Sequence, residues 1–173
     1  MREMKTFVRM AAIAVSLLAA ACGGNLDGER VFAQVSGLGA QLRSPSSAAT
    51  GVVRIYDNRD GVQVQLSIDN LLPGAYRIAI HQNPNCSSPN LFSAGPAWAP
   101  PGSAKPADDL LSGFTANNEG NENGYVAYIK GVSTDALRGR SVVIHYGNRV
   151  GEAFPGQPNN RMACGVLVPN EPL

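Results

Sequence analysis

Apolar and polar positions alternate with a period of two along most of the chain. Val62, Val64, Leu66 and Ile68 interleave with Gln63, Gln65 and Ser67, which is the pattern of a strand with one buried and one wet face. Val52–Tyr56 ahead of it is β-branched and aromatic, and Asp57-Asn58-Arg59-Asp60-Gly61 between the two is a turn cluster, so the pair is expected as a hairpin. Further strands are expected over Arg30–Val35, Tyr76–Ile80, Tyr125–Lys130, Ser141–Tyr146 and Met162–Val168. Leu71-Leu72-Pro73-Gly74 and Asn117–Gly124 carry turn residues. Gly37–Thr50, rich in Gly, Ser and Ala, reads as a loop or a weak edge strand, and Gly147–Asn160 as a second loop. Gln82–Gly113 is a long Pro-rich excursion; a loop of that length inside a compact domain is functional or pinned. No segment shows a convincing helical period, an internal repeat or a second domain. About seven or eight strands indicate an all-β sandwich or barrel.

The beginning of the chain departs from this pattern. Arg2, Lys5 and Arg9 precede a mostly apolar stretch, Phe7–Ala21, which ends in Ala19-Ala20-Ala21 before Cys22. The stretch is short for a membrane span and has the order of parts of an export signal. A Cys directly after small residues resembles a bacterial lipobox, although Ala19 stands three residues before the Cys where Leu is usual. The expected organisation is a lipoprotein signal peptide over 1–21, a polar tether over 22–29 and one β domain over 30–173. Lipidation of Cys22 would anchor the exported protein to a membrane of the cell envelope, in the periplasm. Plain secretion with cleavage beside Ala21 is the alternative. Either cleavage removes three basic residues and one acidic one, and leaves the chain close to neutral.

Composition adds limits. The 173 residues are 44% hydrophobic and 16% charged, with 19 Gly and 12 Pro, which suits one turn-rich domain and not a disordered chain. A net charge of +1 lacks the basic excess that nucleic-acid binding requires. With only two histidines, His81 and His145, one copy cannot build a site of three imidazoles. The three cysteines are Cys22, Cys86 and Cys164; a lipid on Cys22 leaves Cys86 and Cys164 to pair in an oxidising compartment. Their spacing matches no zinc ribbon or CxxC redox motif. No HExxH, Walker A, GxSxG or dinucleotide-binding pattern is present. Asp57, Asp60, Asp108 and Asp109 stand in turn-like contexts and read as turn and cap residues.

Several segments together resemble the copper/zinc superoxide dismutases. Pro73-Gly74 through His81 is similar to that family's strand bearing the first two copper ligands, and Ser93-Ala94-Gly95-Pro96-Ala97-Trp98-Ala99-Pro100 to the loop in which a bridging His follows Gly-Pro. Gly139-Arg140-Ser141-Val142-Val143-Ile144-His145 resembles the strand of the last copper ligand. Asn160-Arg161-Met162-Ala163-Cys164-Gly165-Val166 resembles the C-terminal signature with an active-site Arg and a disulfide Cys. Cys86 falls where the other disulfide Cys belongs. The segments occur in the family's order over most of residues 30–168. The resemblance implies an eight-stranded Greek-key β-barrel with long loops and one disulfide, Cys86–Cys164.

Transferred residue by residue, the resemblance also implies losses. His81 and His145 match two copper ligands, but Ala79 stands at the first copper ligand and Ala97 at the bridging His. No His lies between Trp98 and Ile144, so both other zinc imidazoles are missing, and Asp108 or Asp109 alone would remain for zinc. A family-type zinc site is therefore not expected. For His81 and His145 three readings stand: hydrogen-bonded neutral imidazoles in a rebuilt pocket, a weak two-histidine copper site completed by water or a neighbouring side chain, or a metal shared between chains. Arg161 matches the Arg that guides the anion, and either that role or a purely structural one would retain it; no catalytic residue is assigned. Trp98 either packs under its loop or fills space vacated at Ala97. The expected function is a superoxide-dismutase-like envelope lipoprotein that binds or scaffolds without catalysis and without a cofactor, with a protein partner or a second copy of the chain as its associate. The alternative is a copper protein using His81 and His145, with weak copper-only dismutase or copper-carrier activity.

Overall fold

The computed structural model describes residues 37–105, 107–148 and 159–170. The expected leader, tether and first strand over Arg30–Val35 lie outside these residues, as does most of the loop between Gly147 and Asn160. Nine strands are described: β1 (Gly37–Arg43), β2 (Thr50–Asn58), β3 (Gly61–Asp69), β4 (Gly74–His81), β5 (Gly113–Ala116), β6 (Glu122–Lys130), β7 (Ser141–Tyr146), β8 (Arg161–Val166) and the two-residue β9 (Val168–Pro169). All pair antiparallel, in the order β5-β4-β7-β8-β1-β2-β3-β6, with β9 against β1. The end strands β5 and β6 meet through the turn between them, where Asn117 N donates to Asn121 O, so the sheet curls into a nearly closed barrel. The connections β3→β4 and β6→β7 join strands that are not neighbours in the sheet, which gives the Greek-key order that the resemblance implies.

The period-two pattern explains the interior. Val62, Val64, Leu66 and Ile68 are all buried, as are Val53 and Ile55 opposite them and Tyr125, Ala127 and Ile129 on β6. Tyr76, Ile78 and Ile80 of β4 and Val142 and Ile144 of β7 complete the same core. The intervening residues of β4 and β7 point out of the barrel. There the long loop after β4 covers them, and a second small core forms from Leu91, Ala94, Val143 and Cys164, with Cys86 packed against it. The Cys86–Cys164 disulfide, with a Cα–Cα distance of 5.7 Å, staples this loop to β8.

Three expectations need correction. Gly37–Thr50 is not mainly loop: residues 37–43 form β1, an interior strand between β2 and β8. Its glycines conceal the strand signal because their missing side chains admit neighbours. A Cβ on Gly37 would lie 2.9 Å from the Tyr56 ring, and one on Gly39 2.1 Å from the Asn170 side chain. The turn of the first hairpin is tighter than the Asp57–Gly61 cluster, since β2 runs to Asn58 and β3 starts at Gly61. Among the described residues one α-helical turn, α1 (Thr134–Leu137), is capped by Ser133, and 3-10 turns form over Phe92–Ala94 and Ala107–Asp109; at three or four residues each is too short to register as a period. Asp57 acts as a cap at long range, its carboxylate accepting from Thr134 N at 2.9 Å and Thr134 Oγ1 at 2.7 Å.

The β5–β6 turn yields a sharp stability prediction. Gly120 has φ +80°, and a Cβ there would sit 2.1 Å from the Leu71 carbonyl oxygen, while its own carbonyl accepts from Leu71 N. Gly120→Ala should cost about 3 kcal/mol in denaturant unfolding, combining left-handed strain with a backbone clash. Gly131→Ala, at φ +70° with open space around it, should cost only about 1 kcal/mol. Equal losses at both positions would remove the clash as the cause.

Candidate metal centre

The barrel brings His81 and His145 together on its outer face, beneath the long loop. On β4 the residues pointing outward are Arg77, Ala79 and His81, because Tyr76, Ile78 and Ile80 enter the core. On β7 they are Ser141, Val143 and His145. In register, Arg77 lies opposite His145, Ala79 opposite Val143 and His81 opposite Ser141. The two imidazoles therefore approach diagonally, with the small Ala79 on the same face between them. Their centroids are 5.2 Å apart with planes inclined by 18°, and both side chains are fully buried.

Hydrogen bonds define what each ring presents. His81 Nδ1 lies 2.8 Å from the Gly95 carbonyl oxygen, which can only accept, so that nitrogen carries the proton. Asn160 Nδ2 donates to Tyr146 O at 2.7 Å, which turns Asn160 Oδ1 toward His145 Nδ1 at 3.1 Å. That nitrogen is then also the protonated one. In the neutral rings both Nε2 atoms are left as lone-pair donors, and they face each other at 3.1 Å. Only a proton or another cation between them makes that contact attractive. Burial pushes His81 down to about 4, against the pull of the Gly95 hydrogen bond and helped by the Arg161 charge. Burial likewise pushes His145 down to about 3; its bond to Asn160 opposes this, and the charges of His81 and Arg161 add to it. Near neutral pH the bridging proton is therefore absent.

Arg161 is engaged with the loop. Its Nη1 donates to Leu91 O at 2.7 Å and its Nη2 to Gly95 O at 2.9 Å, and its guanidinium lies 5.1 Å from the Phe92 ring centroid. The Gly95 carbonyl is thus shared by Arg161 and His81. Ala97 pairs with His81 as an isolated bridge. Trp98 packs against the main core, its N donating to Ile80 O, and Arg140 stacks 4.1 Å from its ring centroid. Asp109 does not approach the histidines as a ligand; it forms an ion pair with Arg77. The Asp108 side chain falls outside the described residues. Among the described residues no group of three or more His, Cys, Asp or Glu side chains could hold a metal ion. The described donors do not make a four-ligand zinc site, and His81 and His145 offer copper two imidazole nitrogens.

Sequence reasoning missed two residues of this arrangement. Asn160, fully buried, orients His145, and Arg77 occupies the outward position facing that histidine. Asn160 had a readable signal, since it opens the segment that carries Arg161. Arg77 had none without the strand register.

Comparison with known proteins agrees with this architecture. The family model described as "Copper/zinc superoxide dismutase (SODC)" matches residues 49–167. The chain belongs to the copper/zinc superoxide dismutase family. Among curated relatives, "Superoxide dismutase [Cu-Zn]" of Pasteurella multocida (strain Pm70) is 30% identical over 135 residues, covering 68% of this chain and 73% of the relative. The protein of the same description from Haemophilus parainfluenzae is 27% identical over 135 residues, covering 68% and 72%. The solved structure of Cu/Zn superoxide dismutase from Brucella abortus superposes with a TM-score of 0.55 at 19% identity, covering 75% of this chain and 98% of that one; at that identity the likeness speaks for the fold alone. The disulfide expected from the family, Cys86–Cys164, is present. Ala79 and Ala97 flank His81 along its strand and across its bridge.

Proposed function

We propose that this superoxide dismutase family member does not dismutate superoxide and serves as a binding or scaffold protein of the bacterial cell envelope, exported by its leader and anchored through Cys22. The observation that carries the reading is the donor set. The whole chain has two imidazoles, and the alanine methyls at 79 and 97 donate nothing to a metal. Copper that cycles between oxidation states needs a ligand set suited to both, and two nitrogens do not define one. Arg161 supports the same reading, because its guanidinium is spent on the Leu91 and Gly95 carbonyls and acts as a clamp on the loop. A fold does not carry its usual activity once the site has lost its groups.

The opposed Nε2 lone pairs favour a second reading, in which His81 and His145 hold one copper ion as a carrier or a weak copper-only dismutase. If copper binds, it supplies one-electron redox chemistry. This chain's own residues would hold it through the two Nε2 atoms, with Gly95 O and Asn160 Oδ1 fixing the ring orientations. Copper stoichiometry and dismutase activity on the same oxidised sample separate the readings. The proposal predicts no activity and no copper above the level of the His81→Ala, His145→Ala double variant. One copper per chain, lost in either single variant, would replace it with the copper reading; activity in addition would restore the enzyme.

A further inference from the structure

A pocket of about 300 Å³ opens beside the Cys86–Cys164 bond, over the junction of β1 and β8. Both cysteines line it, together with Leu91 and Val166 on its apolar side and Gln41 and Arg43 on its polar side. Among the described residues of the lining Arg43 alone is charged. Leu42 and Ala163 point into the core, so the residues that follow them, Arg43 and Cys164, point out of the barrel. These two are register partners across β1 and β8, and side chains directly opposed on one face of a sheet stand about 5 Å apart at Cβ. Arg43 is exposed and forms no ion pair among the described residues. The two sulfurs differ in access: Cys86 is partly exposed, whereas Cys164 is 2% exposed.

We propose that this pocket takes a small thiol bearing a carboxylate, which opens the Cys86–Cys164 bond and stays on Cys86 as a mixed disulfide. Three observations select that ligand. The volume is at the lower end for small-molecule sites, which suits a thiol of roughly amino-acid size. The Arg43 guanidinium, with no carboxylate partner among the described residues, offers its planar fork to the carboxylate of the ligand. The bond itself supplies the electrophile. The incoming thiolate attacks the more accessible Cys86 Sγ, the S–S bond breaks, and Cys164 Sγ leaves as a thiolate. Arg43, opposite Cys164, stabilises that thiolate as a neighbouring cation does. Atoms and electrons balance, since one disulfide replaces another and the thiol is the sole co-reactant. Return attack by Cys164 on Cys86 Sγ restores the bond and expels the thiol. While the adduct stands, the loop after β4 is no longer stapled to β8. The assignment does not depend on what the histidine pair binds.

Thiol exchange on the folded full chain, kept in non-ionic detergent, tests it, with mercaptopropionate as the anionic probe and mercaptoethanol as the neutral one. Peptide mass mapping after acid quenching at early times should find one probe molecule per chain, on Cys86, with Cys164 as the free thiol. The rate constant for mercaptopropionate relative to mercaptoethanol should fall about threefold in Arg43→Gln, the usual worth of an exposed ion pair. Using the ratio removes the intrinsic difference in reactivity between the two probes. Arg59→Gln, which removes an exposed guanidinium elsewhere, should leave the ratio unchanged. Arg43 is exposed, so its substitution should spare the fold, and an unchanged unfolding midpoint checks this. No adduct without denaturant, or opening at one rate for both probes that equals the rate of global unfolding, overturns the proposal. So does an adduct on Cys164 in place of Cys86, or a ratio indifferent to Arg43→Gln.

Discussion

Removing the Cys86–Cys164 bridge by a Cys86→Ala, Cys164→Ala double substitution is expected to lower the unfolding free energy by about 4–5 kcal/mol, the chain-entropy value for a loop of this length. The separation is 78 residues, so the unfolded chain loses a large share of its freedom when the bond is closed. The native state loses something as well. Cys86 lies in the loop whose Leu91 and Gly95 carbonyls hold Arg161 and whose Gly95 carbonyl holds His81. With the staple gone, that loop rests on Arg161, on the His81–Gly95 and Asn159–Asn90 hydrogen bonds, and on the small core of Leu91, Ala94 and Val143. Arg161→Ala added to the cysteine variant should therefore cost more than in the oxidised protein, because the two attachments share one segment. Denaturant titrations of the four proteins provide the cycle. A loss below about 1 kcal/mol in the cysteine variant would mean that the loop is held without the bridge, and strict additivity would mean that the two attachments act on separate units.

The second large effect is a loss of stability in mild acid that comes from the histidine pair. Both imidazoles are neutral in the folded protein and held at about 4 and about 3, whereas in the unfolded chain each protonates near the ordinary value of about 6.5. Between those limits the unfolded state binds more protons, so stability rises with pH. It is fully present above about pH 6.5 and falls as pH drops toward 4, with a slope approaching two protons, about 2–3 kcal/mol per pH unit at the steepest. Unfolding midpoints measured in chelator from pH 8 to pH 4 should show this fall. A His81→Gln, His145→Gln variant should lose most of it, leaving the shallower contribution of the carboxylates. An equal slope in both proteins would mean that the pair protonates freely in the fold, and that the facing Nε2 atoms share a proton without penalty.

Much of the fold was legible because its signals are local. The strict alternation over Val62–Ile68 places four residues in the core whatever the topology, and the β2–β3 hairpin follows from the turn residues between two β-rich runs. Where the signal is weak, the reason is physical. β1 is built from Gly37, Gly39 and small residues whose role is to admit Tyr56 and Asn170, so a segment of low strand propensity is an interior strand. Propensity measures what a side chain prefers by itself, whereas these positions were set by what lies across from them. The helical turn Thr134–Leu137 is held by Ser133 and by Asp57, 77 residues away, and a cap at that distance leaves no mark in a local window.

The site divides along the same line. The amino-acid sequence by itself determined the number of imidazoles, the alanines at 79 and 97, and the positions of the three cysteines, because these are matters of composition and order. Only the tertiary structure decided that His81 and His145, 64 residues apart, aim their unprotonated nitrogens at one another. The Gly95 carbonyl and the Asn160 amide impose that choice, and either ring alone could take the other tautomer. Tertiary structure also decided that Arg161 clamps the loop, that Asp109 answers Arg77, and that Arg43 stands opposite Cys164. Each of these depends on strand register, and register is set when the whole barrel closes around its core.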